Sequence, residues 1–334
     1  MNAIDGLAGD GGWQDGRGAA VAAPRVRLHG SGSDRAFLAL TALCAAAVVA
    51  LMAAITFILV RDAWPAIHKF GIAFLWTSVW NPAKGQYGGL TPIWGTLSTT
   101  LIAIVIAVPL ALCIALLLVE LVHPLVRKVV GAAIELLAAI PSIIYGMWGL
   151  FVLMPLLQTY VQPAVQQTPF GRLPLFAGPP FGIGILTAGL ILSLMILPFI
   201  TAVSRDVLGM VPQVVKEAGY GMGSTTWEVT RKVSLRYGLS GIVGAFFLGL
   251  GRAVGETMAV TYVIGGSFRF SSSWFDPSNT IASSLALGFP ESAPGVQRGA
   301  LVELGLVLFL MTILFQLVAQ LWLRRVRKRV GGRA

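Results

Sequence analysis

Six long apolar stretches, at approximately 36–60, 94–119, 129–157, 182–204, 239–264 and 300–323, limit this chain to one class of fold. Each is long enough to cross about 30 Å of hydrocarbon as a helix rising about 1.5 Å per residue. Backbone N–H and C=O groups in lipid must be satisfied internally, which leaves helices or a closed barrel. The stretches are continuously apolar rather than alternating, so a barrel is excluded. With 56% hydrophobic and 11% charged residues and a mean hydropathy of +0.80, the chain reads as an all-α polytopic membrane protein with six transmembrane helices.

The cationic residues set its orientation, because loops on the cytoplasmic side collect Lys and Arg. Of 24 such residues, seventeen fall in the N-terminal segment, the second and fourth connections and the C-terminal tail, against six in the remaining connections. Both termini are therefore expected in the cytoplasm. The net charge of +10 is a consequence of this topology rather than a surface for nucleic acid. Residues 1–35, rich in Gly, Ala and Asp, read as a disordered cytoplasmic tail, 36–325 as the membrane domain, and 326–334 as a basic cytoplasmic tail. The long segment before the first span, with its four Asp, does not read as a signal peptide. Cys44 and Cys113 lie within spans, so they are expected to be packing residues rather than a disulfide or zinc framework. The outer connections carry Trp64, Trp76, Trp80, Trp94, Trp274, Tyr87 and Tyr160, suited to interface anchoring or to docking an external partner.

Arg252 and Glu256 stand four residues apart in the fifth apolar stretch. An ionised residue at the centre of a spanning helix costs about 2.5–3.5 kcal/mol on insertion scales, so it is expected to face protein or an aqueous path. On a continuous helix the two would share a face and could meet as an ion pair. The plain alternative is a pair that only offsets its own burial, but Arg before Glu is the less favourable order at this spacing. A buried guanidinium with its planar fork of donors is a candidate anion site. Gly244, Gly251 and Gly255 fall near one stripe of the same stretch, where a second helix could approach closely, from this subunit or another. Glu135 and Glu303 are expected to be structural, and Pro109, Pro141 and Pro198 to shape their helices.

Between the fourth and fifth spans, residues 211–236 are too polar to cross a membrane. Pro212 suits a helix start, Gly219, Gly221 and Gly223 interrupt the pattern, and Thr225 with Glu228 matches a capping box opening a second helix. The result is a compact cytoplasmic knob. It is either a folded linker or a helix that lies in a groove of another protein, with Tyr220, Met222 and Trp227 as anchors.

Glu217-Ala218-Gly219, then Gly223, then Val233-Ser234-Leu235 resembles the EAA motif of permease subunits in ABC importers, with Gly219, Val233 and Arg236 standing where Ala, Ile and Pro are usual. Three further segments resemble those of phosphate importer permeases of the PstC type: 251–259 (GRAVGETMA), 87–97 and 138–146. The likeness covers roughly 36–325. It implies a type I ABC importer permease in a bacterial plasma membrane. It also implies a second, PstA-type permease, two cytoplasmic ATPase subunits and an extracytoplasmic phosphate-binding protein. Within such a complex Glu217, Ala218, Gly219, Tyr220, Gly223 and Trp227 would couple to the ATPase. Arg252 and Glu256 would line the path of inorganic phosphate, with Glu256 neutralising Arg252 and accepting a proton from the anion.

An intramembrane protease is the first rival, since Gly238-Leu239-Ser240-Gly241 matches a G-x-S-G serine signature. That chemistry needs a base, and His29, His68 and His123 lie outside the span cores and upstream of Ser240. The sequence has neither a zinc H-E-x-x-H nor a phosphate-binding G-x-x-x-x-G-K-[ST], so no catalytic residue, metal or cofactor is assigned. A secondary, ion-coupled anion carrier is the second rival, though it would have no need of the knob. A permease for another oxyanion is the third.

Overall fold

The computed structural model describes residues 32–331. Most of the expected N-terminal tail and the last three residues of the chain lie outside them. The chain divides into two compact units after Ala54. The first, within the described residues, is the opening stretch of α1 (Gly32–Phe70), whose side chains are exposed from Asp34 through Ala54. All elements described below belong to the second unit.

That unit continues with α2 (Leu90–Leu121), α3 (Pro124–Ala138), α4 (Ser142–Gln167), α5 (Ile185–Gly209), α6 (Gln213–Gly221), α7 (Thr226–Val254), α8 (Met258–Ile264), α9 (Ile281–Glu291) and α10 (Val296–Gly331). Six helices, α1, α2, α4, α5, α7 and α10, are long and apolar enough to span a membrane. The third span starts later than its hydropathy suggests, at Ser142 rather than near 129. Pro141 lacks an amide hydrogen and sits at the N-cap in an extended conformation, φ −56° and ψ 135°, so the helix ends before it and restarts after it. The part before the break becomes α3, an amphipathic helix with Gly131 and Ile134 buried and Leu125, Val129 and Leu136 exposed. Arg and Lys are good helix formers, and α10 runs on through them to Gly331.

α5 is the centre of the unit. One row of α2, Ala103, Ala107 and Ala111, packs on Leu192, Met195, Ile196 and Ile200 of α5, joined by Ala245 and Ala253 of α7. Small residues matter because lipid tails are as apolar as leucine, so helices in a bilayer associate through close packing. A Cβ on Gly189 would stand 2.7 Å from Ile102, and one on Gly249 would stand 2.6 Å from Ile200.

The connections between α1 and α2 and between α8 and α9 are tied together by aromatic packing. Trp80 stacks on Phe268 with ring centroids 4.5 Å apart, and Tyr87 meets Trp80 edge-on at 5.0 Å. Tyr87 is buried with Phe74, Ile281 and Leu304, so it and Trp80 are packing groups rather than interface anchors. Trp64, Trp76 and Tyr160 remain exposed, as anchors would be. Cys44 and Cys113 are both free and exposed in the isolated chain.

Candidate functional site

The fifth span is discontinuous at its charged pair. α7 ends at Val254, where the Gly255 N–H caps back to the Ala253 and Gly251 carbonyls, and α8 begins at Met258. Arg252 and Glu256 therefore lie on either side of a break, and the i,i+4 geometry of a continuous helix does not apply. Among the described residues no ion pair joins them. Glu256 instead accepts a hydrogen bond from the Ala259 N–H at 3.3 Å, serving the first turn of α8, while Arg252 lies over the Phe199 ring, 5.7 Å from its centroid. Arg252 is exposed in the isolated chain. A guanidinium turned to hydrocarbon is costly, so this face requires water or protein beside it.

The glycines of α7 sort onto two faces. Gly241 and Gly249 pack inward: added Cβ atoms would meet Val207 at 2.5 Å and Ile200 at 2.6 Å. Gly244 and Gly251 have nothing within 4 Å, and Gly255 has only the Gly251 carbonyl at 3.6 Å. Among the described residues of the second unit the expected stripe is thus left open, with exposed Leu248 between Gly244 and Gly251 on the same helix.

Between α5 and α7, Pro212 caps α6 and the chain turns back through Gly223, whose φ of +80° lies in the left-handed region. Around that turn Met222 N–H donates to Ala218, Gly223 N–H to Tyr220 and Ser224 N–H to Gly219, satisfying the last carbonyls of α6. The Thr225 and Glu228 capping box is formed. The helix it opens is not a separate short element. It continues as α7 through a π-helical turn at Thr230–Ser234 to Val254, about 43 Å of helix at 1.5 Å per residue. Buried Gly219 lets α6 lie against α7, since a Cβ there would stand 3.1 Å from Val229. Met222 and Trp227 are 81% and 64% exposed, with Glu217, Ala218 and Tyr220 also on the outside.

Three ion pairs brace this region, and none was singled out in the sequence. Lys216 meets Glu120 at the end of α2 at 2.8 Å, with both side chains buried. Arg205 of α5 meets Glu135 of α3 at 2.7 Å and Asp206 at 2.8 Å. Arg127 donates to the Leu118 and Val119 carbonyls, closing the exposed end of α2. Their partners are 70 and 96 residues apart in the two long-range pairs, so spacing carries no signal. Glu135 is structural, as expected. Glu303 is buried with its Oε2 unpaired.

Residues 107–331 match the family of binding-protein-dependent transport system inner membrane components. The chain belongs to this family. The permease is 51% identical over 288 residues to the phosphate transport system permease protein PstC of Pasteurella multocida, covering 85% of this chain and 89% of that one. It is 48% identical to the protein of the same name from Mesorhizobium japonicum, over 90% and 93% of the two chains. A bacterial alginate ABC transporter shares its fold, with a TM-score of 0.59 over 88% of this chain and 96% of that chain at 16% identity. The permease is a non-catalytic, multi-pass inner-membrane component of a binding-protein-dependent ABC transporter, which also requires an ATPase and a binding protein.

Proposed function

We propose that this permease forms part of the translocation path of an ATP-driven importer of inorganic phosphate. The likeness along nearly the whole chain to phosphate transport permeases carries this reading. The open glycine face of α7 supports a second permease of PstA type as its neighbour, since small residues let two backbones approach and a partner would cover Arg252. Arg252 then lines the shared path as an anion-binding group, with Glu256 holding the break beside it. Broken helices near the bilayer midplane are a common means of presenting backbone and charge to a transported ion.

Glu217, Ala218, Gly219, Tyr220, Gly223 and Trp227 form the surface that docks on the ATPase, and α7 carries its displacement toward Arg252. Both termini lie in the cytoplasm. ATP binding and release bias the permease between inward and outward states, which is how a remote reaction can drive transport.

Phosphate uptake by Arg252→Lys, Arg252→Ala and Glu217→Ala in the assembled complex tests this. Arg252→Ala should abolish uptake with the subunits still assembled, Arg252→Lys should retain part of it, and Glu217→Ala should weaken ATPase association. Full uptake by Arg252→Ala removes that residue from the path, and normal high-affinity uptake in cells lacking the permease refutes the cargo.

A further inference from the structure

The cytoplasmic knob is joined to the membrane helices by more than its own two ends. α6 follows α5 in the chain and leads into α7, so a push on it reaches those helices through the backbone. Lys216 adds a third connection, to a helix that is remote in sequence. Its ammonium meets Glu120 Oε1 at 2.8 Å, and the side chains are only 9% and 6% exposed. Glu120 lies in the π-helical turn Leu117–Leu121 that ends α2. The carbonyls of Leu118 and Val119 in that turn are already engaged by Arg127, and Val119 packs with Ala115 and Leu208. Glu120 is thus anchored on one side to a locked helix end and on the other to α6.

The position of Lys216 gives this contact its meaning. It directly precedes Glu217, Ala218 and Gly219, and it is buried while Glu217 and Ala218 are exposed. One face of α6 is free for a partner, and the opposite face is pinned to α2. An ion pair out of bulk water is a stiff link, because separating the charges leaves each without a partner in a poorly solvated site. α2 in turn packs along α5 through its alanine row.

We propose that Lys216 and Glu120 are positioning residues that hand displacement of α6 directly to α2. ATP hydrolysis is then matched to movement of the transport helices by three connections rather than two. This rests on the reading of α6 as the ATPase-docking element. The pair contacts neither cargo nor nucleotide; its effect is on how much transport each hydrolysed ATP delivers.

The test uses the complete complex in proteoliposomes, with ATPase and binding-protein subunits present, measuring subunit association, ATP hydrolysis and phosphate imported per ATP. Lys216→Met and Glu120→Gln should leave the ATPase associated and hydrolysing, while phosphate per ATP falls by roughly tenfold. Glu120→Asp, which keeps both charges but shortens the link, should fall in between. The exchange Lys216→Glu with Glu120→Lys should recover most of the ratio. An unchanged ratio in the single variants overturns the proposal, as does ATPase dissociation in them or an exchanged pair that assembles and hydrolyses ATP without importing. Should a single variant fail to accumulate, the exchanged pair and Glu120→Asp decide by the same ratio. A separate arm, Met222→Ala with Trp227→Ala, addresses the docking reading. Normal association and uptake there would refute docking at α6 while leaving the measured effect of the ion pair intact.

Discussion

The two glycine faces of α7 should respond oppositely to a methyl group. Gly249 faces α5, where an added Cβ would stand 2.6 Å from Ile200 Cδ1 and 2.7 Å from Cγ1. Carbon atoms rest near 3.5–4.0 Å, so Ile200 would have to retreat by about 1 Å. It is 2% exposed within the central cluster and has no space to enter. Overpacking of this kind costs about 1–3 kcal/mol, against a gain of up to about 1 kcal/mol from replacing glycine by alanine in a helix. Gly249→Ala should therefore be neutral to destabilising by about 2 kcal/mol. A Cβ added at Gly251 would meet nothing within 4 Å among the described residues beyond its own helix backbone, so Gly251→Ala should keep the helical gain alone and stabilise the isolated chain. Thermal unfolding of the purified permease in detergent measures the difference, expected at about 1–3 kcal/mol with Gly251→Ala the more stable. Gly251→Leu then separates the chain from its neighbour: the permease should still fold, and co-purification with the second permease should fail. Equal unfolding of the two alanine variants would refute the packing assignment. Full association of Gly251→Leu would refute the open stripe as a subunit contact.

Two further outcomes follow from local geometry. Glu256 accepts from the first turn of α8, a role glutamine can retain and alanine cannot, and losing such a capping acceptor costs about 0.5–2 kcal/mol. Phosphate uptake should therefore be largely kept by Glu256→Gln and strongly reduced by Glu256→Ala; equal loss in both would restore a requirement for the charge, as proton acceptance from phosphate demands. At the knob, Gly223→Ala forces a side chain into φ +80° and should cost about 1–2 kcal/mol, with Gly223→Asn costing less, measured as weakened ATPase association and lower melting temperature. Identical behaviour of the two would mean the turn relaxes.

The spans, the capping box at Thr225 and the glycine turn were legible because each is a local pattern whose physical cause lies within a few residues. Hydropathy placed six crossings but missed the restart at Ser142, because apolar composition is continuous across Pro141 and the break is a matter of a missing amide hydrogen. The fifth span failed in a related way. A single glutamate in Gly255-Glu256-Thr257 does not end a hydropathic run averaged over a whole span, yet glycine and threonine are weak helix formers and Glu256 can serve the amide that a fresh helix start exposes. Reading Arg252 and Glu256 as partners assumed a continuous helix, and the assumption failed at Gly255.

What the sequence lacked altogether was the long-range bracing. A lysine beside an exposed motif reads as one more solvated charge, and a glutamate at the end of an apolar run reads as an interfacial anchor; only the tertiary fold brings the two within 2.8 Å. Gly131 presents the same problem in another form. Nothing in the sequence marks it, yet an added Cβ would collide with the Arg205 guanidinium that binds Glu135 one turn on. In both places the charged contact depends on a neighbouring backbone surface that local periodicity does not describe. The end of the permease at α6 is therefore a braced assembly of α2, α3, α5 and α6, and under the docking proposed above a force applied at α6 would meet that assembly before it travels along α7 toward Arg252.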